Sequence, residues 1–138
     1  MGQTQTAGTF AQRLADRAAG LARKADSALD AALSWRAQAD EAAAARVPDA
    51  IAAAERALDE ARAVLRELDS IRLGAEGRVA AGEKSVARGE VEAAEIPALV
   101  AGLMEVQATV AACYRLANAA QGNERRAQEK LAVARRAS

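Results

Sequence analysis

Residues 96–134 read IPALVAGLMEVQATVAACYRLANAAQGNERRAQEKLAVA, and this stretch decides the fold class. One line through it collects Ile96, Leu99, Leu103, Val106, Val110, Cys113, Ala117, Ala120, Glu124, Ala127, Leu131 and Ala134. The steps alternate between three and four residues, and every member except Glu124 is apolar. That period is the seam of a long helix lying lengthwise on other helices. The seam predicts the most deeply buried helix of the molecule. It does not use all the apolar side chains: Val100, Leu103, Met104 and Val110 cannot share one narrow line, so the surplus needs a cover. From Ala98 to Ala112 the single charge is Glu105. A membrane span would be apolar all round; the striped pattern, with Gln107, Arg115 and Asn118, points instead to helix-on-helix packing and no membrane span.

Prolines mark the helix starts upstream. Glu95-Ile96-Pro97 and Val47-Pro48-Asp49 each place a proline where a new helix can begin, because proline restricts the residue before it and suits a first helical turn. The last helix is expected over about 97–136. The middle helix is expected over about 49–90, on the line Ile51, Ala54, Leu58, Ala61, Leu65, Leu68 and Arg72. Gly74, Gly77, Gly82 and Gly89 weaken its second half by roughly 1 kcal/mol each relative to alanine, which puts a candidate break near 74–77. The first helix is expected over about 10–46, opened by a Thr9–Gln12 capping box and following Leu14, Ala18, Leu21, Ala25, Ala28, Ala32, Trp35, Ala39 and Ala42. Residues 1–8 read as a flexible polar lead and 9–138 as one domain. The predicted architecture is all-α: an elongated up-down-up three-helix bundle, or antiparallel coiled coil. With turns near 47 and 96, Trp35 would lie level with Ala61 and Ala127, and Tyr114 near Gly74 and Leu21.

Composition agrees with long thin helices. Hydrophobic residues make up 51% of the 138, but alanine supplies 41 of these roughly 70, and Phe10, Trp35 and Tyr114 are the only aromatics. Alanine favours helix yet buries little area, so close helix axes suit this chain better than a thick core. Nineteen bases balance nineteen acids, so no global field recruits nucleic acid or membrane. The charge is uneven, however: residues 40–70 carry eight acids and four bases, and Arg125, Arg126, Lys130, Arg135 and Arg136 crowd the C-terminal end. Mutual attraction of these two helices is the simpler reading, and a phosphate-binding row the sharper one.

Chemistry is hard to find. The chain has no histidine and one cysteine, which excludes histidine acid–base catalysis, Cys–His nucleophiles and thiolate metal sites. Gly77 to Ser85 imitates a phosphate loop, but Glu83 separates Gly82 from Lys84 and no strand precedes it. Arg72 and Glu124 sit on seam positions, where a charge either sets register with a partner or reaches water near a bundle end. No cofactor, metal or catalytic residue is predicted. A lone apolar cysteine and the lack of a secretory signal fit a cytoplasmic protein. The expected function is non-enzymatic: a helical interaction or scaffold protein that self-associates or binds a helical partner. Its expected anchors are Leu99, Leu103, Val106, Val110 and Trp35. The alternative is an accessory subunit that holds nucleic-acid phosphates through the basic row.

Overall fold

The computed structural model describes residues 6–38 and 40–137, with side chains from Phe10 onward. Helix α1 spans Thr6–Ala37, a one-turn helix α2 spans Glu41–Ala44, α3 spans Val47–Ala87 and α4 spans Ile96–Ala137. A short 3-10 turn, Ala93–Glu95, leads into α4. Helices α1 and α3 are antiparallel, α3 and α4 are antiparallel, and α1 and α4 therefore run together. The up-down-up bundle predicted from the heptads is the observed fold.

Its termini follow from local chemistry. Asp40 caps α2, its Oδ1 accepting the Ala42 N–H at 2.9 Å. Pro48 occupies the first turn of α3, and Asp49 places negative charge at the positive end of that helix. Gly89 closes α3 at φ +69°. The Gly89 N–H reaches Val86 O and the Glu90 N–H reaches Ser85 O, both at 3.1 Å. This paired closure needs a left-handed residue, and glycine takes that conformation without strain.

Three sequence expectations about the elements are corrected. The first helix ends at Ala37, not near 46, because Asp40 starts a separate capped turn before Pro48. Thr9 lies inside α1 rather than at its N-cap, since the helix already includes residues 6–8. Residues 1–5 and Ala39 lie outside the described residues. Helix α3 runs through Gly74 and Gly77 without a break: two isolated glycines cost less than the flanking helix formers supply.

The core forms three successive layers. One joins Ala25 and Leu29 of α1, Ala54, Ala57 and Leu58 of α3, and Ala127, Leu131 and Ala134 of α4. The next joins Leu14 and Ala18, Ala61 and Val64, and Ala120. The last joins Ala11 and Ala15, Leu68, and Cys113. Ala61 thus packs at the level of Ala18, and the predicted Trp35–Ala61 level is wrong. Early termination of α1 slides it along α3, leaving Trp35 in its last turn, half-buried and outside all three layers. Tyr114 accordingly meets α3 near Arg72 but not Leu21, which packs in the Ala61 layer.

The layers also move the centre of burial. Helix α1 is the best-covered helix, with Ala11, Ala15, Ala18, Ala22, Ala25, Leu29 and Ala32 all at 2% exposure or less. Helix α4 is buried only from Cys113 onward, so the expectation that its stripe is the deepest holds for its C-terminal half alone. Beyond the Ala11–Leu68–Cys113 layer, α3 continues to Ala87, and the first four turns of α4 run beside it. There the two helices form a hairpin arm, with α1 reaching only from Ala11 back to Thr6 among the described residues.

Candidate interaction arm and charged groove

Gly82 packs against Leu103 in the arm. A methyl at that position would stand 2.7 Å from Leu103 Cδ2, so that side chain fills the space a larger residue would take. Leu99, Leu103, Val106 and Val110 are half-buried on the inner side of α4. Val110 also faces Val79 and Ala80 across a shallow groove of about 200 Å³. These four predicted anchors therefore lie together along one line, and Leu103 and Val110 are used within the chain against Gly82, Val79 and Ala80.

Of the surplus foreseen in the sequence, Leu103 and Val110 turn inward, while Val100 and Met104 lie on the other side of α4. Val100 is 44% exposed and Met104 62% exposed. Pro97, Ala101, Ala108, Ala111 and Arg115 are exposed on the same face. Their spacing, 97, 101, 104, 108, 111 and 115, is a second heptad line, nearly opposite the first. In the three-helix region the outward face of α4 is mostly charged, with Arg125, Arg126, Glu129 and Arg136 exposed around Val133. In the arm that face is apolar from Pro97 to Ala111, with Glu105 exposed at its edge and Arg115 at its end. Only 6% of the most apolar window of α4 is buried, although by length and composition the helix could cross a membrane. The core helix of a soluble bundle would be mostly covered.

Trp35 does not join this surface. Its neighbour Arg36 shares a groove with Val47, Pro48 and Arg135, at the opposite end of the molecule. Because α1 runs parallel to α4, position 35 falls beside the C-terminal end of α4 and not beside its start.

A groove of about 520 Å³ runs between α3 and α4 and is organised by Arg72. Its Nη2 and Nε donate to Asp69 Oδ1 at 2.6 and 3.1 Å, and Nη1 donates to Glu76 and to Tyr114 Oη at 3.0 Å. Tyr114 Oη donates in turn to Glu76 Oε1 at 2.9 Å, and the guanidinium lies 5.0 Å from the Tyr114 ring centroid. The Asp69 hydrogen bond is the largest influence on Arg72 and raises its pKa, so the group stays charged at every accessible pH. Nearly three turns away, Arg62 Nε donates to Glu124 Oε1 at 2.8 Å. Glu124 is thus ion-paired across the helices, whereas Arg72 pairs with Asp69 and Glu76 of its own helix and reaches α4 only through Tyr114. Cys113 lines the groove floor at 1% exposure, and burial raises its pKa despite the nearby Arg72. A raised thiol pKa opposes nucleophilic use.

The basic C-terminal residues do not form one row. Lys130 Nζ lies 3.0 Å from Asp26 and 2.8 Å from Asp30 of α1, and these bonds, Asp30 first, raise its pKa. Arg135 meets Glu55 of α3 at 3.1 Å. Arg125, Arg126 and Arg136 face solvent. Gly77 to Ser85 is helical, so no phosphate cradle exists there. Among the described residues, no three His, Cys, Asp or Glu side chains converge as a metal site would require. No family model, curated protein or solved structure matches this chain.

Proposed function

We propose that this chain is a non-enzymatic helical interaction protein in which the three-helix region is a rigid base and the α3–α4 arm presents the contact surface. The carrying observation is the change of character along one face of α4. It is mostly charged beside the core layers and apolar from Pro97 to Ala111, where Val100 and Met104 stand exposed. Exposed apolar side chains in heptad spacing suit a helical partner, because a second helix can cover them along their whole length. The inner anchors Leu99, Leu103, Val106 and Val110 hold the arm straight so that the outer face is offered as one surface.

The phosphate-binding alternative draws less support, since Lys130 and Arg135 are engaged by Asp26, Asp30 and Glu55. The Arg72 cluster supports a structural role, its guanidinium being held by Asp69, Glu76 and Tyr114.

A photo-reactive amino acid placed at position 104, with position 126 as control, tests the proposal in cells. Protein adducts at 104 that are absent at 126 are expected. Equal labelling at both positions, or none at 104, contradicts an arm-centred contact.

A further inference from the structure

Deepening the interaction reading, on which it rests, we infer that the arm's partner is a second copy of this chain, docked antiparallel along the outer face of α4 about a two-fold axis at Met104. Two observations select this occupant. The first is that the stripe is its own complement. Val100 and Ala108 each lie four residues from Met104, and Pro97 and Ala111 each lie seven. Reversing the helix about Met104 sets Val100 and Pro97 of one copy against Ala108 and Ala111 of the other, with Met104 meeting its own copy on the axis and the exposed Glu105 beside it. A two-fold contact demands such self-complementarity from a single patch.

The second is charge. Glu92 and Glu95 are exposed at the arm's tip, and Arg115 is exposed at its base on the stripe. None of the three has an ion-pair partner among the described residues. Arg115 lies 11 residues after Met104, and Glu92 and Glu95 lie 12 and 9 before it. The same antiparallel register therefore brings Arg115 of each copy to the acidic tip of the other. A parallel register would stack acid on acid. The partner's tip would lie over Asn118, Ala119 and Gly122, small exposed residues that leave room for it. The acidic tip also disfavours an anionic lipid surface as the occupant.

The stripe from Pro97 to Arg115 spans about 27 Å of helix at 1.5 Å per residue. A single helix pair of that length falls at the small end of specific interfaces, so the dimer is weak and concentration-dependent.

Sedimentation velocity of the purified full chain over a wide concentration range tests the inference. The expected result is a reversible monomer–dimer equilibrium. Met104→Glu, at an exposed position that leaves the core untouched, raises the midpoint concentration by about tenfold or more. Arg115→Glu also weakens the dimer, and adding Glu92→Arg and Glu95→Arg restores it. For orientation, oxidation of mixed Val100→Cys and Ala108→Cys chains gives the crossed disulfide dimer in preference to either chain alone. A monomer at every concentration overturns the second copy. So does a Val100→Cys chain that links to itself as well as to Ala108→Cys. If that monomer still gives position-104 adducts with another protein in cells, the interaction reading stands and only the second copy falls. A monomer that instead co-sediments with phosphatidylcholine vesicles, and loses this with Met104→Glu, makes the surface a lipid contact and overturns both.

Discussion

Leu29, Leu58 and Leu68 are the largest aliphatic side chains fully withdrawn from water, in a core made mostly of alanine. Few large residues mean that each matters. Leu29→Ala or Leu58→Ala is expected to cost about 2–5 kcal/mol by chemical denaturation, as for other buried leucines. Leu73→Ala, at 55% exposure, stays within about 0.5 kcal/mol of the parent; equal losses at all three positions would contradict the layer assignment. Cys113 gives a pH expectation. Its thiol is raised by burial, so the folded state holds the proton more tightly than the unfolded chain. The stability this confers is complete below the ordinary thiol pKa and is lost as pH rises past it toward the raised value. Unfolding midpoints followed upward from neutral pH should fall in the parent and fall less in Cys113→Ala; identical slopes would contradict the buried placement. At this scale the seam charges Arg72 and Glu124 were legible as anomalies in the sequence. Their partners were not: Arg62 lies on a face that reads as solvated, and Tyr114 one residue off the seam.

The elements were mostly legible, because prolines and heptads mark starts and faces directly. Helix α1 is the exception in two ways. Its end at Ala37 is set by the Asp40 cap, and the alanines around it favour helix equally on both sides of the break. Its buried line follows Ala11, Ala15, Ala18, Ala22, Ala25 and Leu29, while the larger residues Leu14 and Leu21 drew the predicted seam toward the α3 side. A helix wedged between two others buries its smallest residues at the centre. The α3 glycines carry an element-scale prediction. Gly74 and Gly77 have open space where a Cβ would go, whereas a Cβ on Gly82 would press on Leu103. Gly74→Ala and Gly77→Ala should each stabilise by about 0.5–1 kcal/mol through helix propensity. Gly82→Ala should gain less, since Leu103 must move. Denaturation curves that rank Gly82→Ala highest would contradict the close approach of α4.

The whole molecule divides into a covered base and a bare arm, and this division is what the sequence hid. The stripe from Ile96 to Ala134 has one unbroken period, but only the part from Cys113 onward lies between two helices. Periodicity reports which face a helix buries, not how many neighbours bury it. Neighbour number depends on where α1 stops and how it slides, which a single capped turn decides. The surplus at Val100 and Met104 was the visible trace of that missing cover.

Hydrogen exchange by peptide mass spectrometry, run at low and high protein concentration, tests the division and its use together. Amides of the three core layers should exchange slowly at both concentrations, and those of the arm faster at low concentration. Raising the concentration should slow residues 97–115 and leave 120–134 unchanged. An arm as protected as the base at low concentration, or exchange that concentration does not alter between 97 and 115, would contradict the account.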